Sequence, residues 1–213
     1  KNGNVGCENI NLSIKNGEFI AVIGINGSGK TTLVLSSVKD IYERYGKKVA
    51  VVVNDFGTIG IDGKVMEKYG LQVKELAAGC VCCTLGPSLL ITIKEIYENI
   101  HPDVIIVEPT GIANPEAVVA VLYQAEEEWV PEKISSVVIV DAHRFPVLMK
   151  AFERPLKNQL NNSDFVVINK IDTVDENALS EIKAKIDELA PGKPVICASA
   201  SLNKNVSEIV DRL

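Results

Sequence analysis

The clearest chemical pattern in the sequence is a glycine-rich stretch, Gly24-Ile-Asn-Gly-Ser-Gly29-Lys30-Thr31, which matches G-x-x-x-x-G-K-[ST]. An apolar run precedes it and an amphipathic stretch follows, so the segment would join a strand to a helix. The glycines let backbone N–H groups turn toward phosphate oxygens, and the helix N-terminus adds partial positive charge. This context predicts a nucleotide-binding phosphate loop and not a ligand-free turn.

The residue types in this stretch indicate separate roles. We expect the amine of Lys30 to reach the β- and γ-phosphates and the hydroxyl of Thr31 to bind Mg²⁺. The other candidate phosphate-binding residues at the start of the helix are Gly27, Ser28, Gly29 and Thr32.

A second motif, Asn169-Lys170-Ile-Asp172, follows the apolar run Phe165–Ile168. The carboxylate of Asp172 can accept hydrogen bonds from N1–H and the N2 amine of guanine, a donor pair that adenine lacks. Asn169 can contact the other edge of the purine, and the stem of Lys170 can cover the ring face. The motif favours GTP over ATP.

Two residues after the next predicted strand extend this base-binding interpretation. Ser199 and Ala200 could supply backbone N–H groups to the guanine oxygen.

Carboxylates at predicted strand ends are the candidate groups for Mg²⁺ and for hydrolysis. Glu108 ends a central strand in Glu108-Pro-Thr-Gly111 and could hold Mg²⁺, usually through water, while the Gly111 N–H could sense the γ-phosphate. Asp55, after the second strand, is the other candidate for orienting Mg²⁺ or the attacking water. With Lys30 these two acids form the predicted catalytic set; the alternative for each acid is a helix cap or a turn. Asp141 also ends a strand but has no motif around it, so we expect a structural role.

Three thiols are crowded into Gly79-Cys80-Val81-Cys82-Cys83. Thiolates favour soft or borderline metals such as Zn²⁺ or Cu⁺, and three protein ligands leave a fourth position open. A redox role is the alternative, although C-x-C-C lacks the usual C-x-x-C spacing. Cys7 and Cys197 are expected to be small buried apolar residues.

Apolar runs alternate with amphipathic stretches along the chain, which predicts an α/β P-loop NTPase fold with a mostly parallel sheet flanked by helices. Residues 54–80 are interpreted as a long, partly ordered loop, and residues 1–17 as a candidate N-terminal β-hairpin. The predicted strands are 19–24, 48–53, 103–108, 134–141, 165–168 and 195–198. The predicted helices are 31–45, 88–100, 115–128, 144–162 (broken at Pro155), 175–189 and 206–213.

Length and composition suit one globular domain over residues 1–213: 46% of the residues are hydrophobic and 23% are charged. The formal net charge of −6 argues against a nucleic-acid partner, which would need clustered Lys and Arg. No apolar run approaches the roughly 20 residues of a membrane span, and the N-terminus lacks the layout of a signal peptide. Five cysteines, three of them clustered, are a poor disulfide framework and favour a cytoplasmic location.

Taken together, the phosphate loop, the 54–62 segment, the Cys motif, Glu108-Pro-Thr-Gly111 and Asn169-Lys-Ile-Asp172 resemble CobW-like metallochaperone GTPases, relatives of the urease and hydrogenase maturation GTPases. The resemblance covers about residues 18–200. It implies a slow GTPase that uses GTP and Mg²⁺, with the metal held by Cys80, Cys82 and Cys83. It further implies a recipient metalloprotein, a nucleotide-dependent homodimer and metal binding coupled to the nucleotide state.

The chain also departs from the family pattern. Asp55 stands where the family commonly has Glu, and neither the usual C-terminal domain nor a His-rich tract is found in the sequence.

Two alternatives remain open at this point. One is an ATP- or GTP-dependent activator of a metalloenzyme or corrinoid protein, in which the Cys cluster is a docking or redox element. The other is a metal sensor that binds nucleotide without turnover.

Overall fold

The computed structural model describes residues 17–53, 69, 71–75, 85–123 and 133–213, and seven strands within that part form one parallel sheet. The strands are β1 (Glu18–Ile23), β2 (Val49–Val53), β3 (Gln72–Glu75), β4 (Val104–Glu108), β5 (Lys133–Asp141), β6 (Phe165–Asn169) and β7 (Val195–Cys197). Their order across the sheet is β3-β2-β4-β1-β5-β6-β7. The predicted α/β fold with a parallel sheet is confirmed.

Helices cover both faces of this sheet. They are α1 (Lys30–Tyr45), α2 (Leu85–Ile100), α3 (Pro115–Leu122), α4 (Phe145–Asn161), α5 (Glu176–Leu189) and α6 (Val206–Val210), with a 3₁₀ turn at Ile171–Thr173. The core residues of α1 and α6 pack on one face, and those of α2 to α5 pack on the other.

Strand β1 shows why these strands are continuous apolar runs. Phe19 and Ala21 point into one core cluster, while Ile20 and Val22 point into the other. All of β1 is buried, including both faces of the strand. A strand buried on both faces needs apolar side chains at successive positions, because neither face contacts water.

The carboxyl ends of the central strands meet at one edge of the sheet. In the strand register Val53 is paired with Glu108, and Asp141 is paired with Asn169. The phosphate loop leaves the end of β1 between β4 and β5. The strand order reverses around β1, which is where open α/β sheets place their ligands.

Helix ends follow the local sequence closely. The side chain of Asn114 accepts a hydrogen bond of 3.1 Å from the Glu116 N–H, and Pro115 occupies the first turn of α3, so Asn114 is the N-cap of this helix. Gly46 ends α1 in the left-handed conformation that glycine adopts readily.

One strand and one helix break differ from the sequence-based expectation. Residues 72–75, predicted as part of a loop, form the edge strand β3, a short segment with exposed Gln72 and Lys74. Helix α4 is kinked, but its non-helical residue is Phe152 (φ −135°, ψ 33°) and not Pro155 itself. The proline ring crowds the preceding turn and its nitrogen carries no hydrogen, so the distortion falls N-terminal to Pro155.

The candidate hairpin in residues 1–17 lies outside the described residues except for Gly17, and the predicted helix 115–128 is described only to residue 123. Among the described helices, none combines the length and apolar character that a membrane crossing requires.

Candidate functional site

The phosphate loop closes around the amine of Lys30. Its Nζ donates to the carbonyl oxygen of Gly24 at 2.9 Å and lies 3.9 Å from Oε1 of Glu108. Lys30 is only 5% exposed. Burial lowers the pKa of Lys30, while the negative charge of Glu108 acts in the opposite direction. The loop therefore holds a cationic group at its centre, as predicted for phosphate binding.

Thr31 and Glu108 form the second part of the site. The Thr31 hydroxyl lies 3.2 and 3.1 Å from the two carboxylate oxygens of Glu108. Burial raises the pKa of Glu108, and the charge of Lys30 and the hydrogen bond from Thr31 partly oppose that effect. One hydroxyl and two carboxylate oxygens are the hard ligands that Mg²⁺ prefers, so this donor set fits the predicted ion.

Gly111 packs directly on the phosphate loop. A Cβ atom at this position would lie 2.4 Å from Oδ1 and 2.7 Å from the backbone nitrogen of Asn26. Only glycine allows this approach of the segment after β4 to the loop. The predicted γ-phosphate sensor is thus in contact with the loop it would report on.

Asn169 connects the phosphate loop to the segment after β7. Its Nδ2 donates to the carbonyl of Ser28 at 2.9 Å, and its Oδ1 accepts from the Ala200 N–H at 3.0 Å. The side chain is buried, with 2% exposure. In this structure Asn169 joins two loops, and its predicted purine contact stays a prediction.

Ser199 and Ala200 are brought beside the base motif, but their N–H groups are already used. The Ser199 N–H donates to the carbonyl of Lys204 at 3.1 Å, and that of Ala200 donates to Asn169. Binding of a guanine oxygen by either group, as the sequence suggested, would require one of these hydrogen bonds to be replaced.

Asp172 is exposed in the 3₁₀ turn after β6. It lines a groove of about 250 Å³ together with Leu202 and Lys204 from the segment after β7. Those are the two segments from which the sequence predicts contacts to the base.

Lys170 and Arg144 meet at a buried carboxylate. Asp141, 1% exposed, accepts from Lys170 Nζ at 2.7 Å and from Arg144 Nε at 2.8 Å. Burial raises the pKa of Asp141, but the hydrogen bonds from Lys170 and Arg144 outweigh it, so that the pKa lies below its ordinary value. Asp141, which was expected to be structural, thus holds two cationic side chains beside the phosphate loop.

Arg144 and Asn26 were not among the predicted site residues. Arg144 Nη2 donates to the carbonyl of Asn26 at 2.8 Å, although 118 residues separate them in sequence. The available signal was the position of Asp141, at the end of a strand next to the base motif, three residues before an arginine.

Several predicted site residues fall outside the described part of the chain: Asp55, Cys80, Cys82 and Cys83. Within the described residues, no three His, Cys, Asp or Glu side chains are grouped as a metal site. His101 and His143 are exposed, and Cys197, which was expected to be buried, is a partly buried free thiol packed beside the core.

The amino-acid sequence of the chain is similar to those of known proteins. The chain is 32% identical to the zinc chaperone YeiR of Escherichia coli over 154 residues, which are 71% of this chain and 45% of YeiR. It spans about half the length of the curated relatives it matches.

Solved structures share the fold at low sequence identity. Hydrogenase maturation factor HypB from Archaeoglobus fulgidus superposes with a TM-score of 0.67 at 17% identity, covering 91% of this chain and 87% of HypB. Zn(II)-bound YjiA GTPase from Escherichia coli superposes with a TM-score of 0.62 at 21% identity, covering 84% of this chain and 57% of YjiA.

The family profile described as CobW/HypB/UreG, nucleotide-binding domain, matches residues 18–197. That range begins at β1 and ends at β7, so it includes the phosphate loop, Glu108 and the Asn169–Asp172 motif together with the sheet that aligns them. The predicted resemblance is confirmed, and the chain belongs to the CobW/HypB/UreG nucleotide-binding domain family.

Proposed function

We propose that this chain binds and slowly hydrolyses GTP with Mg²⁺, and that it uses the nucleotide state to control the delivery of Zn²⁺ to a recipient metalloprotein. The observation that carries the nucleotide part is the meeting of Lys30, Thr31 and Glu108 at the carboxyl edge of the sheet. An amine, a hydroxyl and a carboxylate at the mouth of a phosphate loop are the groups that phosphoryl transfer from a Mg²⁺–nucleotide requires.

Each of these residues has a defined task in the proposed hydrolysis. Lys30 would stabilise negative charge on the β- and γ-phosphates, since its amine is buried at the loop. Thr31 and Glu108 would hold Mg²⁺, which supplies charge neutralisation for the phosphates when it is bound. Asp55 is proposed to orient the attacking water, and Gly111 to respond to the γ-phosphate through its contact with Asn26.

The base would be guanine, read by Asp172. Its carboxylate is exposed beside the segment after β7, where it is available to accept the N1–H and N2 hydrogens. Asn169 and Lys170 hold the base motif against the phosphate loop through their hydrogen bonds to its carbonyls, and this places Asp172 near the nucleotide.

Zinc would be the cargo, held by Cys80, Cys82 and Cys83. Two findings support this part: the relative YeiR is named a zinc chaperone, and YjiA was crystallised with Zn(II). The thiolate chemistry of the motif agrees with these names. We propose that the Cys motif binds zinc with different affinities in the GTP-bound and the GDP-bound chain. Only such a difference lets the nucleotide control zinc release. We also propose a cytoplasmic protein that forms a homodimer in the GTP state.

The experiment is an anaerobic Zn²⁺ titration of the full chain with a non-hydrolysable GTP analogue or with GDP. We expect zinc affinities that differ between the two nucleotides. Cys82→Ser should abolish the tight zinc site, whereas Cys197→Ser, a matched change at a thiol outside the motif, should leave it intact. Equal zinc affinities in the two nucleotide states would remove the coupling.

The same preparation distinguishes the other functions. Preference for ATP over GTP in competition, with no zinc bound by the Cys motif, would instead support an activator of a metallo- or corrinoid enzyme. Zinc and GTP binding without turnover, even with recipient and metal present, would support a sensor. Molecular mass measured with GDP and with the GTP analogue tests the proposed homodimer.

A further inference from the structure

Three successive peptide carbonyls of the phosphate loop each accept a hydrogen bond from a side chain that is distant in sequence. The carbonyl of Asn26 accepts from Arg144 Nη2 at 2.8 Å. That of Gly27 accepts from Lys170 Nζ at 2.7 Å, and that of Ser28 accepts from Asn169 Nδ2 at 2.9 Å. The last two donors belong to the base motif, but Arg144 comes from the start of α4, where no motif predicted a role.

These contacts fix the direction in which the loop can donate hydrogen bonds. The described part of the chain contains no cis peptide bond, and in a trans peptide the N–H of the next residue points opposite to the carbonyl. With the Asn26 carbonyl held by Arg144, the Gly27 N–H is directed away from Arg144. An anion bound on that opposite side of the loop then meets an N–H group that needs no reorientation.

Asp141 holds Arg144 in the geometry that this contact needs. It accepts from the Arg144 Nε at 2.8 Å and from the Arg144 backbone N–H at 3.1 Å. One edge of the planar guanidinium is thereby occupied by the carboxylate while Nη2 reaches the loop. Asp141 is 1% exposed, so it is held in one position itself.

Gly27 of the loop leaves the space that the Arg144 guanidinium occupies. Gly27 has φ +81°, and a Cβ atom there would lie 2.8 Å from Nη2 of Arg144. Any larger residue would both strain the backbone and displace Arg144 from the Asn26 carbonyl.

We propose that Arg144, oriented by Asp141, is a positioning residue for the β-phosphate of a bound nucleotide. It contacts no phosphate itself: it holds the peptide between Asn26 and Gly27 so that the loop is preorganised before the nucleotide arrives. Preorganisation removes an ordering cost that the bound β-phosphate would otherwise have to offset. This inference rests on the proposed guanine-nucleotide function and assigns it two residues outside the known motifs.

The test compares GDP with GMP, because only GDP carries a β-phosphate. Dissociation constants of both nucleotides are measured by calorimetry for the wild-type chain, Arg144→Gln and Arg144→Lys. For Arg144→Gln we expect GDP affinity to fall roughly 10-fold and GMP affinity to change less than about twofold. In Arg144→Lys, which keeps the positive charge but lacks the planar guanidinium, the loss of GDP affinity should be smaller than in Arg144→Gln.

Further variants separate positioning from a general effect on folding. Arg154→Gln changes an exposed arginine of the same helix and should leave the GDP-to-GMP affinity ratio unchanged. Asp141→Asn should lower the ratio, and the Asp141→Asn/Arg144→Gln double variant should lower it no further than the larger single effect, because the two residues act as one unit.

The inference is wrong if wild type binds GDP and the ratio in Arg144→Gln and Asp141→Asn stays within about twofold of wild type. It is also wrong if both nucleotides lose affinity equally, since that would indicate a merely structural role. If wild type binds no guanine nucleotide at all, the proposed function fails and this inference fails with it.

Discussion

The hydroxyl of Thr31 lies 3.2 and 3.1 Å from the two carboxylate oxygens of Glu108, a residue 77 positions away in sequence. The contact brings the start of α1 to the end of β4, at the mouth of the phosphate loop. The same oxygen atoms would face Mg²⁺ when a nucleotide is bound.

Thr31→Ala and Glu108→Gln should therefore reduce the dependence of nucleotide binding on Mg²⁺. We expect the gain in GTP affinity on adding Mg²⁺ to shrink in both variants, and the hydrolysis rate of Glu108→Gln to fall on the order of 10- to 100-fold. Titrations with Mg²⁺ and with EDTA measure the first effect. Thr92→Ala, whose hydroxyl donates to the Ser88 carbonyl inside α2, is the matched control. A wild-type response to Mg²⁺ in both variants would exclude these residues as the Mg²⁺ site.

Asp172→Asn should change the base preference from guanine to xanthine. The asparagine amide can donate to the O2 atom of xanthine, where the carboxylate of Asp172 would accept from the N2 amine of guanine. We expect GTP affinity to fall by about 10- to 100-fold and XTP affinity to rise. Competition binding with GTP, XTP and ATP measures the change.

Asp187→Asn is the control for that substitution, because Asp187 is exposed on α5, accepts from the Gly192 N–H and does not line the groove beside Asp172. Unchanged GTP affinity in Asp172→Asn would argue against guanine reading by this residue.

Asn169→Ala should lower the stability of the protein even without nucleotide. The substitution leaves the carbonyl of Ser28 and the N–H of Ala200 without the partners they have in the folded chain. Each unsatisfied group costs about 1–3 kcal/mol, so we expect the free energy of unfolding to fall by about 2–6 kcal/mol. Urea denaturation of the nucleotide-free chain measures it.

Asn158→Ala, at an exposed position of α4, should change the free energy of unfolding by less than about 0.5 kcal/mol. A loss of similar size in both variants would show that the bridge made by Asn169 contributes nothing specific.

In Asp141→Asn the free energy of unfolding should depend less on pH in acidic solution than it does in the wild type. Hydrogen bonds from Lys170 and Arg144 lower the pKa of Asp141 in the folded state, against the effect of burial, so the ionised carboxylate stabilises the fold. This contribution is fully present above the unfolded-state pKa of about 3.9 and is lost as pH falls through the lower folded-state pKa.

Unfolding free energies at several pH values between about 2.5 and 6 test this sign. The stability difference between wild type and Asp141→Asn should be largest near pH 6 and should shrink below about pH 4. A difference that grows as the solution becomes more acidic would contradict the assignment.

Much of the fold could be predicted because it depends on short-range patterns. The buried strands read as unbroken β-branched runs, and Asn114 and Gly46 mark helix ends through hydrogen bonds and backbone angles within a few residues. Strand β3 was missed because it has four residues and exposed side chains at two of them, so no apolar pattern marks it. Its strand conformation comes from pairing with β2.

The sequence by itself determined the phosphate loop, the base motif and the parallel sheet, since each is encoded by residues close together in the chain. Only the tertiary structure decided that Arg144 reaches the Asn26 carbonyl and that Asn169 joins Ser28 to Ala200. These contacts link residues 31 to 141 positions apart, and they form because parallel strands bring their carboxyl ends to one edge. No local pattern encodes such a meeting, because its geometry depends on the order of strands across the whole sheet.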